Sequence, residues 1–170
     1  MGQWVSRRRF IKLGLLGGVL LASAGLFAWP TRKSWRPRRA LRVLDPREFA
    51  VLAAIAARTV VGPGADPISI AHEIDEQFVL QVPEAQRDLK RLLLLFENAL
   101  MGALFDGRLR PFTHLDAAGQ DAVLRAWRDS RLAVRRGGYV ALRKMTTAVY
   151  YMAADTWDSI GYPGPPQIAT

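Results

Sequence analysis

The sequence predicts an all-α protein: an irregular bundle of about five helices behind an N-terminal signal helix and a basic tether. Three observations predict it. Apolar residues recur at three- and four-residue intervals in successive stretches. Helix breakers stand between those stretches, at Gly62-Pro63-Gly64, Pro83 and Pro111. No stretch alternates apolar and polar residues as a half-buried strand requires, and no internal repeat is present.

Composition bounds the chemistry. The chain has 170 residues, half of them hydrophobic, which suits one modest domain with a real core. It has no cysteine. That excludes disulfides, a lipid-bearing cysteine, c-type haem attachment, iron–sulfur clusters and thiolate zinc sites. His72 and His114 are its two histidines. The net charge of +9 points first to nucleic acid. Its distribution points away: ten of the 24 Lys and Arg precede residue 43, and the remaining 14 face all 15 acids. The body is therefore near neutral, and no nucleic-acid partner is expected.

Residues 1–28 read as a signal. Ser6-Arg7-Arg8-Arg9-Phe10-Ile11-Lys12 has the pattern of a twin-arginine export motif, with Ser6, Arg7, Arg8, Phe10, Ile11 and Lys12 at its defining positions. The planar guanidinium fork makes paired, directional hydrogen bonds to carboxylates, which an ammonium cannot match. The twin-arginine translocation machinery carries cargo that is already folded, often with cofactor or partner attached. The apolar run Leu13–Ala28 is sixteen residues long and interrupted by Gly14, Gly17, Gly18 and Gly25. A spanning helix needs about 20 apolar residues, so the run is a moderate signal core and a marginal anchor. Ala22-Ser23-Ala24 fits a small-x-small cleavage site, with Ala22 and Ala24 as the small residues. The alternative is a retained anchor with Trp29 at the interface. Either way the expected location is the periplasm or the periplasmic face of the inner membrane.

Residues 29–44 read as a tether, because prolines and dense positive charge oppose a packed element. Positive charge beyond an apolar run also discourages ordinary threading across the membrane. On an anionic membrane surface each basic residue contributes about 1 kcal/mol.

The helical domain is expected over residues 45–156. Asp45-Pro46-Arg47-Glu48 opens the first helix with a cap, a proline at the first position and a capping-box glutamate. Phe49, Leu52, Ala53, Ala56 and Val60 follow at helical spacing, up to the double breaker at Gly62–Gly64. The second helix starts at Ile68 or Ser69 and runs to about Gln81, with Ile70, Ile74, Phe78 and Val82 as its stripe. Its His72-Glu73-Ile74-Asp75-Glu76 lacks a second histidine at i+4, and reads as a solvated acidic face rather than a metal motif. Pro83-Glu84 opens the third helix, expected to be the longest, central and buried on most sides, running to about Phe105 through Leu89, Leu92, Leu93, Phe96, Leu100 and Leu104. Glu97 interrupts its apolar surface, and an ion pair with Arg58 or Arg91 is the ordinary outcome. After a loop, a helix is expected from Asp116 to Ser130 with Leu115, Val123, Leu124 and Trp127 inward and Gln120 near the capping-box position. A last helix starts near Leu132 or Gly138 and carries a Tyr- and Met-rich core stripe, Met152 included. Residues 157–170 read as an extended aromatic and Pro-rich tail. Such a segment suits docking on another surface, or folding back on its own core.

Three stretches carry a resemblance. They are the helix Glu48–Val61 with Gly62-Pro63-Gly64-Ala65, the helix Gln120–Ser130, and Tyr150-Tyr151 followed by Trp157 and Ile160-Gly161-Tyr162-Pro163-Gly164-Pro165. Over roughly residues 45–165 the chain resembles the gluconate 2-dehydrogenase subunit 3 family. These are small accessory subunits of flavin-dependent dehydrogenases of the glucose-methanol-choline type. The resemblance implies a non-catalytic subunit without its own cofactor. It would escort a large FAD-bearing dehydrogenase across the membrane, and a c-type cytochrome often takes the electrons in such complexes. It also implies partner-binding residues at Tyr150, Tyr151, Trp157, Ile160, Tyr162 and Pro163. Two other readings of the residues stand beside it. One is a membrane-tethered scaffold for an unrelated partner. The other is an independent exported helical enzyme, or haem or metal binder, using His72, His114, Glu73 and Glu97.

Overall fold

The computed structural model describes residues 35–108 and 110–164. The export motif Ser6–Lys12 and the cleavage site at Ala22 and Ala24 lie outside the described residues. Within them the chain is an all-α bundle without strands. Its helices are α1 (Pro46–Thr59), α2 (Pro67–Phe78), α3 (Pro83–Glu97), α4 (Ala99–Asp106), α5 (Ala117–Arg128) and α6 (Ala133–Met152). Short 3-10 turns cover Phe112–His114, Ala154–Thr156 and Asp158–Ile160. Among the described residues no helix is long and apolar enough to cross a membrane.

The start of α1 follows from local chemistry. Asp45 Oδ1 accepts from the amides of Arg47 and Glu48 at 2.7 and 2.9 Å, and Glu48 Oε2 accepts from the Asp45 amide at 2.8 Å. The helix stops at Thr59, before the Gly62–Gly64 turn. Every residue from Phe49 to Ala56 is at most 1% exposed. Four of these eight are alanines, and α2, α3, α5 and α6 all pack on the helix. Small side chains let neighbours approach from every side, and the interleaved Phe49, Leu52 and Ile55 fill the gaps between them. So α1 is the central helix.

That corrects the expectation for the third helix. In α3 only Leu89, Leu93 and Phe96 are buried, while Leu94 faces solvent. The helix also ends early. Asn98 takes an extended backbone (φ −61°, ψ 113°), and its Oδ1 accepts from the Met101 amide at 3.1 Å. A short polar side chain that bonds its own backbone competes with helix continuation, so Asn98 ends α3 and starts α4. Among the described residues the longest helix is α6, at 20 residues.

Helix α2 is capped by Asp66, which accepts from the Ile68 amide, with Pro67 at the first position. It ends at Phe78, so Val82, expected in its stripe, is exposed. Nor is its acidic run a uniformly solvated face. His72 and Asp75 are buried, and only Glu73 and Glu76 are solvated.

The buried pair holds down the second half of the expected tether. Asp75 accepts three backbone amides, from Arg42 (2.6 Å), Val43 (3.0 Å) and Leu44 (2.7 Å). His72 Nε2 accepts from the Arg38 amide at 3.1 Å, with its ring 4.6 Å from that of Phe49. Outside these bonds Arg38 pairs with Asp66, and Arg39 with Glu73 and Glu76 at 3.0 Å each. Residues 38–44 therefore lie along α2 as a strap. Carboxylates of α2 and its cap, those of Asp66, Glu73, Asp75 and Glu76, bind this part of the basic run.

The C-terminal helices close the bundle. Asp116 caps α5 by accepting from the Gly119 amide, but Gln120 has no capping role. It is buried, and its amide donates to the Phe112 carbonyl at 3.2 Å. The Phe96 and Trp127 rings stack at 3.7 Å between α3 and α5. Met152, expected inside, is exposed at the end of α6.

Replacing Asp75 by Ala strands three amides, two of them partly and one fully buried. The expected cost is about 3 kcal/mol, read as a lowered urea midpoint. Asp75→Asn keeps one acceptor oxygen and should lose less.

Candidate partner-docking surface

The residues that sequence places at a partner interface divide into two groups. Tyr150 is 6% exposed, and its hydroxyl donates to the Pro63 carbonyl at 2.9 Å. That bond requires the turn after α1 to come very close. A Cβ at Gly62 would stand 2.3 Å from the Tyr150 hydroxyl, so only glycine fits there. Tyr150 is thus mostly taken up inside the fold, and what remains accessible of it lines a groove on the surface. Tyr151, Ile160, Tyr162 and Pro163 are exposed.

Trp157 builds the turn that presents them. Its indole N–H donates to the Tyr151 carbonyl at 3.1 Å, and its ring meets Tyr162 edge-on at 5.4 Å. Over residues 157–164 the segment is wound into turns rather than extended, and the rest of the expected tail, residues 165–170, lies outside the described residues. Buried Thr156 closes the first 3-10 turn by donating to the Ala153 carbonyl at 2.7 Å. Gly161 then reverses the chain with φ +68°, a conformation other residues rarely adopt. The Tyr162 amide returns to the Trp157 carbonyl at 3.0 Å. The outcome is an aromatic knob wound against the end of α6, with Tyr151, Met152, Ile160 and Tyr162 facing water. These large apolar side chains are all exposed.

Beside the knob runs an open groove of about 440 Å³ between the C-terminal end of α1 and one face of α6. Its α1 wall is Thr59, Val60 and Val61, and Val61 is 87% exposed. Its α6 wall carries Tyr139, Val140, Arg143, Lys144 and Thr147, which recur at helical spacing on one side. Tyr150 and Tyr151 close the end nearest the knob. Nothing in the sequence singles these residues out. Val61 reads as a helix end.

The other polar residues singled out by sequence serve the interior. Glu97 does not pair with Arg58 or Arg91. Arg58 holds Asp121 with two bonds, at 2.7 and 3.0 Å, and Arg91 lies 3.4 Å from Asp88. Glu97 instead accepts from the amide and hydroxyl of Thr113, at 3.0 and 2.5 Å. The Thr113 hydroxyl also lies 3.2 Å from His114 Nδ1. Burial pushes the Glu97 carboxyl above its ordinary value, against the opposing pull of the Thr113 bonds and of His114 and Arg108. Nearby, Asp106 takes Arg135 at 2.5 Å, and Arg108 donates to the Phe96 carbonyl at 2.7 Å. This network staples the α3–α4 break to the loop before α5. His72 lies in the strap contact, and among the described residues no three acidic or histidine side chains converge as metal ligands.

Compared with protein-family models, curated proteins and solved structures, the chain matches none.

A carboxyl whose value is raised by folding binds its proton more tightly in the native state. Its contribution to stability is therefore complete below the ordinary value of 4.5, and is lost as pH climbs through the raised one. Glu97→Gln keeps an acceptor for the Thr113 amide and a donor for its hydroxyl. Urea unfolding at pH 5 and pH 8 should find the variant gaining on the native protein at the higher pH. An unchanged difference between the two would mean that Glu97 is already ionised without penalty.

Proposed function

We propose that this chain is a non-catalytic small subunit that binds a large FAD-dependent dehydrogenase and escorts it, folded, through the twin-arginine route. It then stays with the complex at the periplasmic face of the membrane. The observation that carries this reading is the match at Ser6–Lys12, set directly before an apolar run. A cysteine-free helical bundle has no disulfide or thiolate cluster that calls for folded export on its own account. A large, cofactor-loaded companion supplies that reason. Support also comes from the resemblance to gluconate 2-dehydrogenase subunit 3, and from the aromatic knob. Tyr151, Ile160, Tyr162 and Pro163 offer apolar area at low entropic cost, braced by Trp157. FAD and the substrate site belong to the companion in this reading.

Replacing Arg7 and Arg8 by Lys tests the escort role. The companion's dehydrogenase activity should stay in the cytoplasm, while the complex still assembles there. Activity that still reaches the periplasm rejects the proposal. A second variant, Trp157→Ala with Tyr162→Ala, should weaken the complex by about tenfold or more, with the helical circular dichroism unchanged. Loss of helix would make the knob part of the core instead.

A further inference from the structure

We infer that the groove between the end of α1 and α6 is a second docking site, and that its occupant is an acidic amphipathic segment of a partner protein. Three features of the groove define that occupant. The first is its apolar exposure: Val61 and Val140 face solvent across a floor to which the tyrosines contribute. A valine 87% exposed at the end of the most buried helix gains most when something covers it. The second is charge. Arg143 and Lys144 stand on the α6 wall, both exposed, and neither forms an ion pair among the described residues. Among the described residues no carboxylate lines the groove. Asp155, the acid beside the Gly64 turn, is not among its walls. An occupant thus meets two cations and no anion, and carboxylates on it complement both.

The third feature is shape. A concave volume of about 440 Å³ is filled by inserted side chains. The plane of lipid headgroups cannot enter a concavity, so the observations favour a peptide segment over a membrane surface. The groove also ends at Tyr150 and Tyr151, and the Tyr151 carbonyl receives the Trp157 indole. Groove and knob therefore form one continuous face. A partner that covers the knob has its next few residues over the groove. If the companion is the dehydrogenase proposed above, the segment belongs to it, and in that clause alone the inference rests on the escort reading.

The test uses the purified full chain with a probe whose chemistry is set. A fluorescent peptide of about 12 residues, with Leu and Glu placed at helical spacing so that they fall on opposite faces, is titrated against the native chain and against Arg143→Glu with Lys144→Glu. A Leu/Lys counterpart and vesicles containing phosphatidylglycerol are run in parallel. The Leu/Glu peptide should bind the native chain, and the charge reversal should weaken it by about tenfold or more, an effect that shrinks as salt rises. The Leu/Lys peptide should show the reverse order. Both altered residues are exposed, and Arg143→Ala with Lys144→Ala gives a milder loss if the reversal disturbs the fold. Absent binding, or binding that ignores the reversal, overturns the inference. So does vesicle binding that depends on Arg143 and Lys144 while peptide binding does not, which makes the face a membrane surface. Because the probe is not the dehydrogenase, failure here leaves the Arg7 and Arg8 result standing, and failure there leaves this one standing.

Discussion

The constraint on which the rest of the bundle depends is the burial of α1 on every side. Eight consecutive residues without solvent exposure leave no face for water, so four other helices must cover it. Each large side chain in that run is worth about 2 kcal/mol of apolar burial, and the alanines between them set how closely the neighbours approach. Specific polar ties then fix the surrounding helices. The Arg58–Asp121 pair joins α1 to α5, and the hydroxyls of Thr59 and Thr146, 2.9 Å apart, join α1 to α6. Both ties lie at the C-terminal end of α1, where its apolar run gives out.

The strap uses two kinds of bond of unequal weight. The pairs of Arg38 and Arg39 with carboxylates of α2 are exposed, and such pairs contribute about 0–1 kcal/mol each. The Asp75 carboxylate, accepting three backbone amides around Leu44, contributes more because those amides are partly or fully buried. His72 adds a bond that requires its ring to be neutral at Nε2. Burial lowers its affinity for a proton, and the charge of Arg39 lowers it further. The basic run is thus anchored beside α2 from Arg38 onward.

Tyr150 and Tyr151 show how adjacent residues on one helix take opposite roles. Tyr150 faces α1 and uses its hydroxyl to clamp the turn at Pro63. Tyr151 faces out, with its ring 5.0 Å from that of Tyr150, and its carbonyl receives the Trp157 indole. The clamp and the knob are therefore one device. The bond that closes the bundle at the C-terminal end of α1 also sets the platform on which the aromatic turn and the groove stand.

By itself the sequence determined the helical class, the start of α1 and its end near Gly62–Gly64, the cap of α5 and the inward residues Val123, Leu124 and Trp127. These rest on contacts within a few residues, where capping chemistry and the 3.6-residue period are decisive. Only the tertiary structure decided which helix is central, because α1 and α3 are both apolar on several faces and the difference lies in what packs around them. The same holds for Asp75, His72 and Glu97. Each reads as a solvated or arginine-paired side chain, and each instead serves backbone amides or a hydroxyl far along the chain. The groove was illegible for the same reason. Val61 and Arg143 are 82 positions apart in sequence, and only the folding of α6 along α1 brings them to one surface.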